Sequence, residues 1–181
     1  MSLAAVTARP SRADILMIGL LSVGIIFVGL VANVMSTKFV RTTETVPAMT
    51  VSDLTRFADV IVTARVISQS NEVLQPLGDR IPTVLTHTTL SVLSRHKGTP
   101  ASEIVVTTRG GRNGDVLQVA ESEPTFSVGD RVIVFLFMTR DGTYAPVGAY
   151  QGAFRVRGDI ASNGDLQLAE AKLMDAIARG Q

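Results

Sequence analysis

A mainly β fold is predicted: a small β-barrel or β-sandwich domain, preceded by one N-terminal transmembrane helix and closed by a short C-terminal helix. Three observations lead there. Residues 15–34 form an unbroken run of 20 mostly apolar residues without a charge. Behind it, roughly seven short β-branched segments recur between turn-forming Gly, Asn and Asp residues, the spacing of an all-β domain. Near the end, Leu173, Met174 and Ile177 return to helical spacing.

The apolar run is long enough to cross a hydrocarbon core of roughly 30 Å as one helix. It divides the chain into a cytoplasmic head (1–14), a transmembrane helix (15–35), a stalk rich in Thr and Val (36–49) and an extracytoplasmic β-domain (50–181). A cleaved signal peptide is the alternative, because Arg9 and Arg12 form a basic head and Val34-Met35-Ser36 offers small or β-branched residues to a peptidase. Removable apolar regions are shorter, however, about 7–15 residues, so a retained anchor is favoured. Arg9 and Arg12 are nearly matched by Lys38 and Arg41 beyond the run. The short head is read as cytoplasmic and the long domain as translocated, which makes the protein a single-pass protein of the cytoplasmic (inner) membrane with a periplasmic or extracellular C-terminal domain.

At ~100° per residue, Gly19, Ser22, Gly29 and Asn33 share one arc of the helix, while Leu20, Val23, Phe27 and Leu30 point elsewhere. Small residues let a second helix approach closely in lipid, and Ser22 or Asn33 can bond across the contact. The stripe is therefore a candidate face for partner-helix packing. The plainer alternative is that glycines are common in membrane helices and that Asn33 sits at headgroup level.

Of the 17 basic residues, Arg9, Arg12, Lys38 and Arg41 flank the run, leaving 13; of the 16 acidic ones only Asp14 precedes it, leaving 15. A domain of net charge near −2 has no electrostatic footprint for nucleic acid. The chain has 0 cysteines, which removes disulfides, thiolate chemistry and lipid attachment through cysteine together.

Thr50-Val51-Ser52-Asp53 offers a capping box ahead of Leu54, Phe57 and Ala58, predicting a short helix at the domain's entrance. Strands are predicted over 60–67, 84–93, 104–108 and 116–119, all β-branched or alternating. Between the last two, Gly110-Gly111-Arg112-Asn113-Gly114-Asp115 supplies the positive φ angles a tight connection needs, with Asn113-Gly114 a strong hairpin signal. Val128-Gly129-Asp130 turns into 131–138, whose Val132 to Phe137 leave no polar face, so this strand is predicted to be central and buried on both sides. Strands over 144–148 and 154–157, a hairpin at Asn163-Gly164 and a helix over 168–179 complete the chain.

A resemblance covers roughly residues 52–179. It is carried by Ala58-Asp59-Val60-Ile61-Val62-Thr63-Ala64-Arg65-Val66, by 92–98 ending in Lys97-Gly98, by Pro124-Thr125-Phe126-Ser127-Val128-Gly129-Asp130-Arg131-Val132-Ile133-Val134-Phe135-Leu136, and by Gln151-Gly152-Ala153-Phe154-Arg155-Val156. Together these resemble a widespread group of exported or membrane-anchored bacterial β-domain proteins. The chain departs from it at Ser94-Arg95-His96, where the group continues apolar into the Lys-Gly pair. The group has no agreed activity, so the resemblance implies fold and address and lends no catalytic residue.

Familiar catalysis finds little footing. His87 and His96 stand nine apart without a zinc-ligand pattern, and each reads as a polar-face strand residue. No serine sits in a nucleophile elbow, and the glycines from Gly110 lack the Lys-Ser/Thr of a phosphate loop. That loop is a hairpin or, alternatively, an anion or ligand contact through Arg112. Asp115, Asp130, Asp141 and Asp165 stand beside glycines as β-turns demand and lack calcium-loop spacing. Glu121 and Glu123 point the same way from a loop that reads as exposed, so no acid–base pair is nominated. The expectation is a non-enzymatic accessory subunit of a larger membrane complex without a cofactor, in layout analogous to accessory subunits of photosynthetic or respiratory complexes. Its partners would be the complex's subunits and the bilayer. The alternative is an independent membrane-tethered module binding a small ligand, a glycan or an exported protein.

Overall fold

The computed structural model describes residues 38–74 and 82–180. The predicted transmembrane helix, with Gly19, Ser22, Gly29 and Asn33, lies outside the described residues; among those described, no helix is long and apolar enough to cross a membrane. The described chain is mainly β and ends in a helix, as predicted. In order its elements are β1 (Lys38–Thr42), α1 (Val51–Phe57), β2 (Val60–Leu74), β3 (Thr83–Lys97), β4 (Glu103–Arg109), β5 (Gly111–Asn113), β6 (Val116–Ala120), β7 (Arg131–Met138), β8 (Tyr144–Pro146), a 3-10 turn (Ala149–Gly152), β9 (Ala153–Arg157), β10 (Ile160–Ser162), β11 (Gln167–Ala169) and α2 (Glu170–Arg179).

Eight strands form one sheet in the order β11-β10-β9-β7-β2-β3-β4-β8, and β8 pairs back onto β7. The pairings thus close a five-stranded ring, β7-β2-β3-β4-β8, in which β4 and β8 run parallel through Val106 and Tyr144. One edge of β7 is taken by β2; the other is shared, Arg131 to Val134 with β9 and Leu136 to Met138 with β8. Register shifts near Ile61, Thr63 and Val66 bend β2, and such bulges are how a sheet curls enough to close.

β7 alternates between two cores. Val132, Val134 and Leu136 point into the ring with Val60, Val62, Ala64, Leu90 and Val106. Ile133 and Phe135 face outward onto Phe154, Val156, Leu54, Leu173 and Ile177, where α1 and α2 cover the sheet. Residues 132–136 are buried on both faces, as the apolar run predicts, whereas Phe137 and Met138 at the strand's end are exposed. α1 is short but well started: Thr50 Oγ1 accepts from the Asp53 N–H while the Asp53 carboxylate accepts from the Thr50 N–H, the predicted capping box. Lys97 Nζ then donates to the Thr55 carbonyl at 2.7 Å and ties α1 to the end of β3.

The remaining sheet has the order β1-β6-β5, with β1 parallel to β6. Lys38 to Thr42, inside the segment read from sequence as a stalk, is its first strand. The hairpin at Gly114-Asp115 forms, but its arms are β5 and β6, not the expected 104–108 and 116–119. Gly110 and Gly111, at φ +98° and +121°, turn the chain out of β4 before the hairpin begins. That backbone conformation is open to glycine at no steric cost. β5 therefore joins the second sheet, while β4 stays in the ring between β3 and β8.

Candidate functional site

The residues of the four quoted sequence segments form struts. Phe126 is buried inside the ring, so the loop between β6 and β7 plugs one end of it. Gly129 at φ +94° turns that loop, and the Asp130 carboxylate accepts from the Ser127 N–H at 3.0 Å while pairing with Arg155 Nε at 2.9 Å. Arg155 also donates to the Thr125 carbonyl, and the segments 124–136 and 151–156 are thereby bolted to each other. Arg131 pairs with Glu170 at the first turn of α2. Buried Gln151 donates to the Pro47 carbonyl and accepts from the Met49 N–H, tying residues 47–49 to the domain. The Asp59 carboxylate accepts from the Met138 N–H. At Gly98, φ +73°, a Cβ would stand 2.6 Å from the Asp59 carbonyl oxygen. These are packing and hydrogen-bonding roles.

Arg112 lies on β5 with its side chain exposed. Its carbonyl accepts from Asn71 Nδ2 at 2.7 Å and Asn113 Nδ2 donates to the Asn71 carbonyl at 2.9 Å, which holds the hairpin on β2. His87 and His96 both have partners: Nδ1 of His87 lies 3.0 Å from Thr107 Oγ1 and Nε2 lies 3.2 Å from the Glu72 carboxylate, while His96 Nε2 lies 2.8 Å from Thr63 Oγ1. Burial holds His96 below the usual histidine range, partly opposed by the Glu170 charge. The order Glu72, His87, Thr107 has the composition of an activated hydroxyl. Thr107, however, directs its proton to Thr143 Oγ1 at 3.2 Å, and the array runs on across the strands as a ladder of polar pairs. Among the described residues no group of three or more His, Asp or Glu could hold a metal ion.

Reading the loop as exposed misses Glu123. Phe126 has to enter the ring, and that draws Ser122 and Glu123 inward, leaving Glu123 half-buried. Three clefts of about 380, 320 and 350 Å³ meet at it. The first opens toward Arg155, Arg157 and Asn163. The second runs along Arg109, Gly110 and Asn71. The third reaches Thr107, Thr139, Asp141, Thr143 and Phe137. Burial pushes the Glu123 carboxyl above the usual carboxylate range, opposed by the charge and main-chain N–H of Arg109. Arg109 is itself paired with Glu44. Asp141 is held below its usual range by the Thr139 and Thr143 hydroxyls and the Thr143 N–H. A signal for this site is present in the sequence: an aromatic residue in a turn-rich loop needs a cavity to fill, and its neighbours go with it. Hydroxyls, carboxylates and guanidinium groups equip these clefts to hydrogen-bond a polar ligand, and in the third the Thr139 and Thr143 hydroxyls both donate to the Asp141 carboxylate.

Glu121, two residues away, has the opposite environment. It is exposed, hydrogen-bonded by Arg41 and by Thr43 Oγ1, and held below the usual range by those bonds. The two glutamates thus differ sharply although they share a loop. No protein-family model matches this chain, and no curated protein matches its sequence.

Proposed function

We propose that this protein is a non-enzymatic, single-pass membrane protein that serves as an accessory subunit of a larger membrane complex, its head cytoplasmic and its β-domain docking on the extracytoplasmic side. The observation that carries this reading is a division of labour among the described side chains. The polar motif residues are consumed in internal struts, while large apolar side chains stand in water at one end of the sheet: Phe57 is 56% exposed, Met138 is 56% exposed, and Phe137 is beside it. Asp59 joins them, its N–H donating to the Leu136 carbonyl and its carboxylate accepting from the Met138 N–H, two residues after Phe57. Scattered exposed apolar residues are ordinary; a grouping at the convergence of α1 and β7 is what a docking face needs at its centre. The closed ring supports a small barrel whose strand order is that of an OB-type barrel, a fold that serves many functions and decides none. Because the resembling motifs are struts, they support a shared exported β-domain and no shared chemistry.

The test is mild detergent extraction followed by a native gel and mass spectrometry. Stoichiometric co-migration with a large complex is expected. Migration as a lone species would overturn the subunit reading and favour the second one, a membrane-tethered module that binds a polar ligand in the clefts meeting at Glu123.

A further inference from the structure

The β1-β6-β5 sheet has two unlike faces. Side chains alternate along each strand, and the register places Phe39, Leu117 and Arg112 in one row with Arg41 and Val119 in the next, all on one face. The other face turns inward. Its Gln118 is buried, accepting from the Val84 N–H at 2.7 Å and donating to Thr42 Oγ1 at 3.3 Å, and Gly111 lies against Thr86 and Asn71 with no room for a side chain. The outward face is apolar and basic at once: Phe39 is 62% and Val119 40% exposed, and Arg112 stands beside them. Glu121, the acid that borders the face, is taken up by Arg41.

If the anchor is retained, the chain length keeps the start of β1 within reach of the bilayer surface. The apolar run ends at Val34 and β1 begins at Lys38. Four steps of extended chain reach at most about 14 Å, about twice a headgroup layer of roughly 5–7 Å. Aromatic rings and long cationic side chains are the groups that settle at that depth, and basic residues near the surface are drawn to anionic phosphates.

We propose that the outward face of the β1-β6-β5 sheet seats on the anionic headgroup surface of the bilayer, with Phe39, Leu117 and Val119 in the interface and Arg112 on lipid phosphate. The inference rests on the retained-anchor reading. It fixes how the domain stands: the sheet lies down on the membrane, and the exposed end at Phe57 and Met138 is left for a protein partner.

The chain has 0 tryptophans, so one introduced tryptophan reports alone. Full-length Phe39→Trp, Val119→Trp and Phe57→Trp are reconstituted in phosphatidylcholine–phosphatidylglycerol vesicles containing brominated lipid. The indole of Phe39→Trp follows the anchor closely in sequence and is quenched on any account of a retained anchor; position 119 decides. The expected result is quenching of Val119→Trp to within twofold of Phe39→Trp, with Phe57→Trp unquenched. Adding Arg112→Glu, or omitting phosphatidylglycerol, is expected to at least halve the quenching at position 119. Quenching at position 119 no greater than at position 57, while position 39 stays quenched, would overturn the seat and leave the anchor standing. Protection of position 119 from aqueous iodide in native membranes without quenching in vesicles would overturn it in favour of a protein partner on this face. Release of a chain lacking residues 1–36 by carbonate washing would show instead that the anchor reading itself had failed.

Discussion

Arg131 and Glu170 meet in a two-pronged ion pair, Nη1 to Oε2 at 2.7 Å and Nη2 to Oε1 at 2.5 Å, that pins the start of β7 to the first residue of α2. The carboxylate serves twice, since a negative charge at a helix N-terminus is also favoured by the helix dipole. With side chains 37% and 21% exposed, the pair is partly screened. Arg131→Lys keeps the charge and loses the fork, so it is expected to lower stability by about 1 kcal/mol in urea unfolding. Glu170→Gln should do the same with a smaller salt dependence than the parent. A Lys variant as stable as the parent would show that the second prong contributes nothing.

The outer core hinges on Phe135 and Phe154, both fully buried, with ring centroids 5.9 Å apart and planes tilted by 57°. Phe135→Ala is expected to cost about 3–5 kcal/mol through lost burial and the cavity left behind. Because the rings touch, the double replacement should cost less than the sum of the singles, by about 0.5–1.5 kcal/mol. Additivity in denaturant titrations would remove the ring contact from the account.

Two glycines should respond differently to alanine. At Gly152 a Cβ would run into the Val147 main chain, whereas at Gly129 it would meet nothing within 4 Å and suffer only from φ +94°. Gly152→Ala is therefore expected to destabilise by about 1–3 kcal/mol or more. Gly129→Ala should cost about 1 kcal/mol. A reversed order in thermal melts would show that strain in the turn outweighs the collision.

Elements are legible in the sequence where their physical signals are local. Apolar period locates β7 and α2, capping chemistry locates α1, and Asn113-Gly114 locates a turn. Strand extent is less legible: Ser68 to Glu72 is polar and exposed, yet β2 runs on through it to Leu74 because β3 pairs with every residue there. Pairing partners are harder still. Nothing local says that β4 pairs with β8 or that Lys38 to Thr42 finds β6, some 78 residues away. Glu123 escapes a local reading for the same reason, since its burial follows from the destination of Phe126 and not from its own neighbours.

Glu121 and Glu123 should leave opposite marks on the pH dependence of stability. Burial raises the Glu123 carboxyl above 4.5 in the folded protein, so the protonated form is the one the fold prefers. Its contribution is fully present below the unfolded value and is lost as pH rises through the higher folded value. At neutral pH the ionised, half-buried carboxylate is a burden. Glu123→Gln, neutral and nearly the same shape, is thus expected to be more stable than the parent near pH 7, with the gap closing on acidification and gone below about pH 4. Glu121 is lowered from 4.5 by its bonds to Arg41 and Thr43. Its contribution is present above the unfolded value and is lost as pH falls through the folded one. Glu121→Gln should accordingly be less stable than the parent near neutrality and converge with it in acid. The measurement is the urea midpoint of the detergent-solubilised chain from about pH 3 to about pH 8 for the parent and both variants. Curves for the two variants that deviate from the parent in the same direction at neutral pH would mean that Glu123 is better solvated or better paired than its half-buried position implies. The clefts meeting there would then lose the raised carboxyl that makes them candidates for a polar ligand.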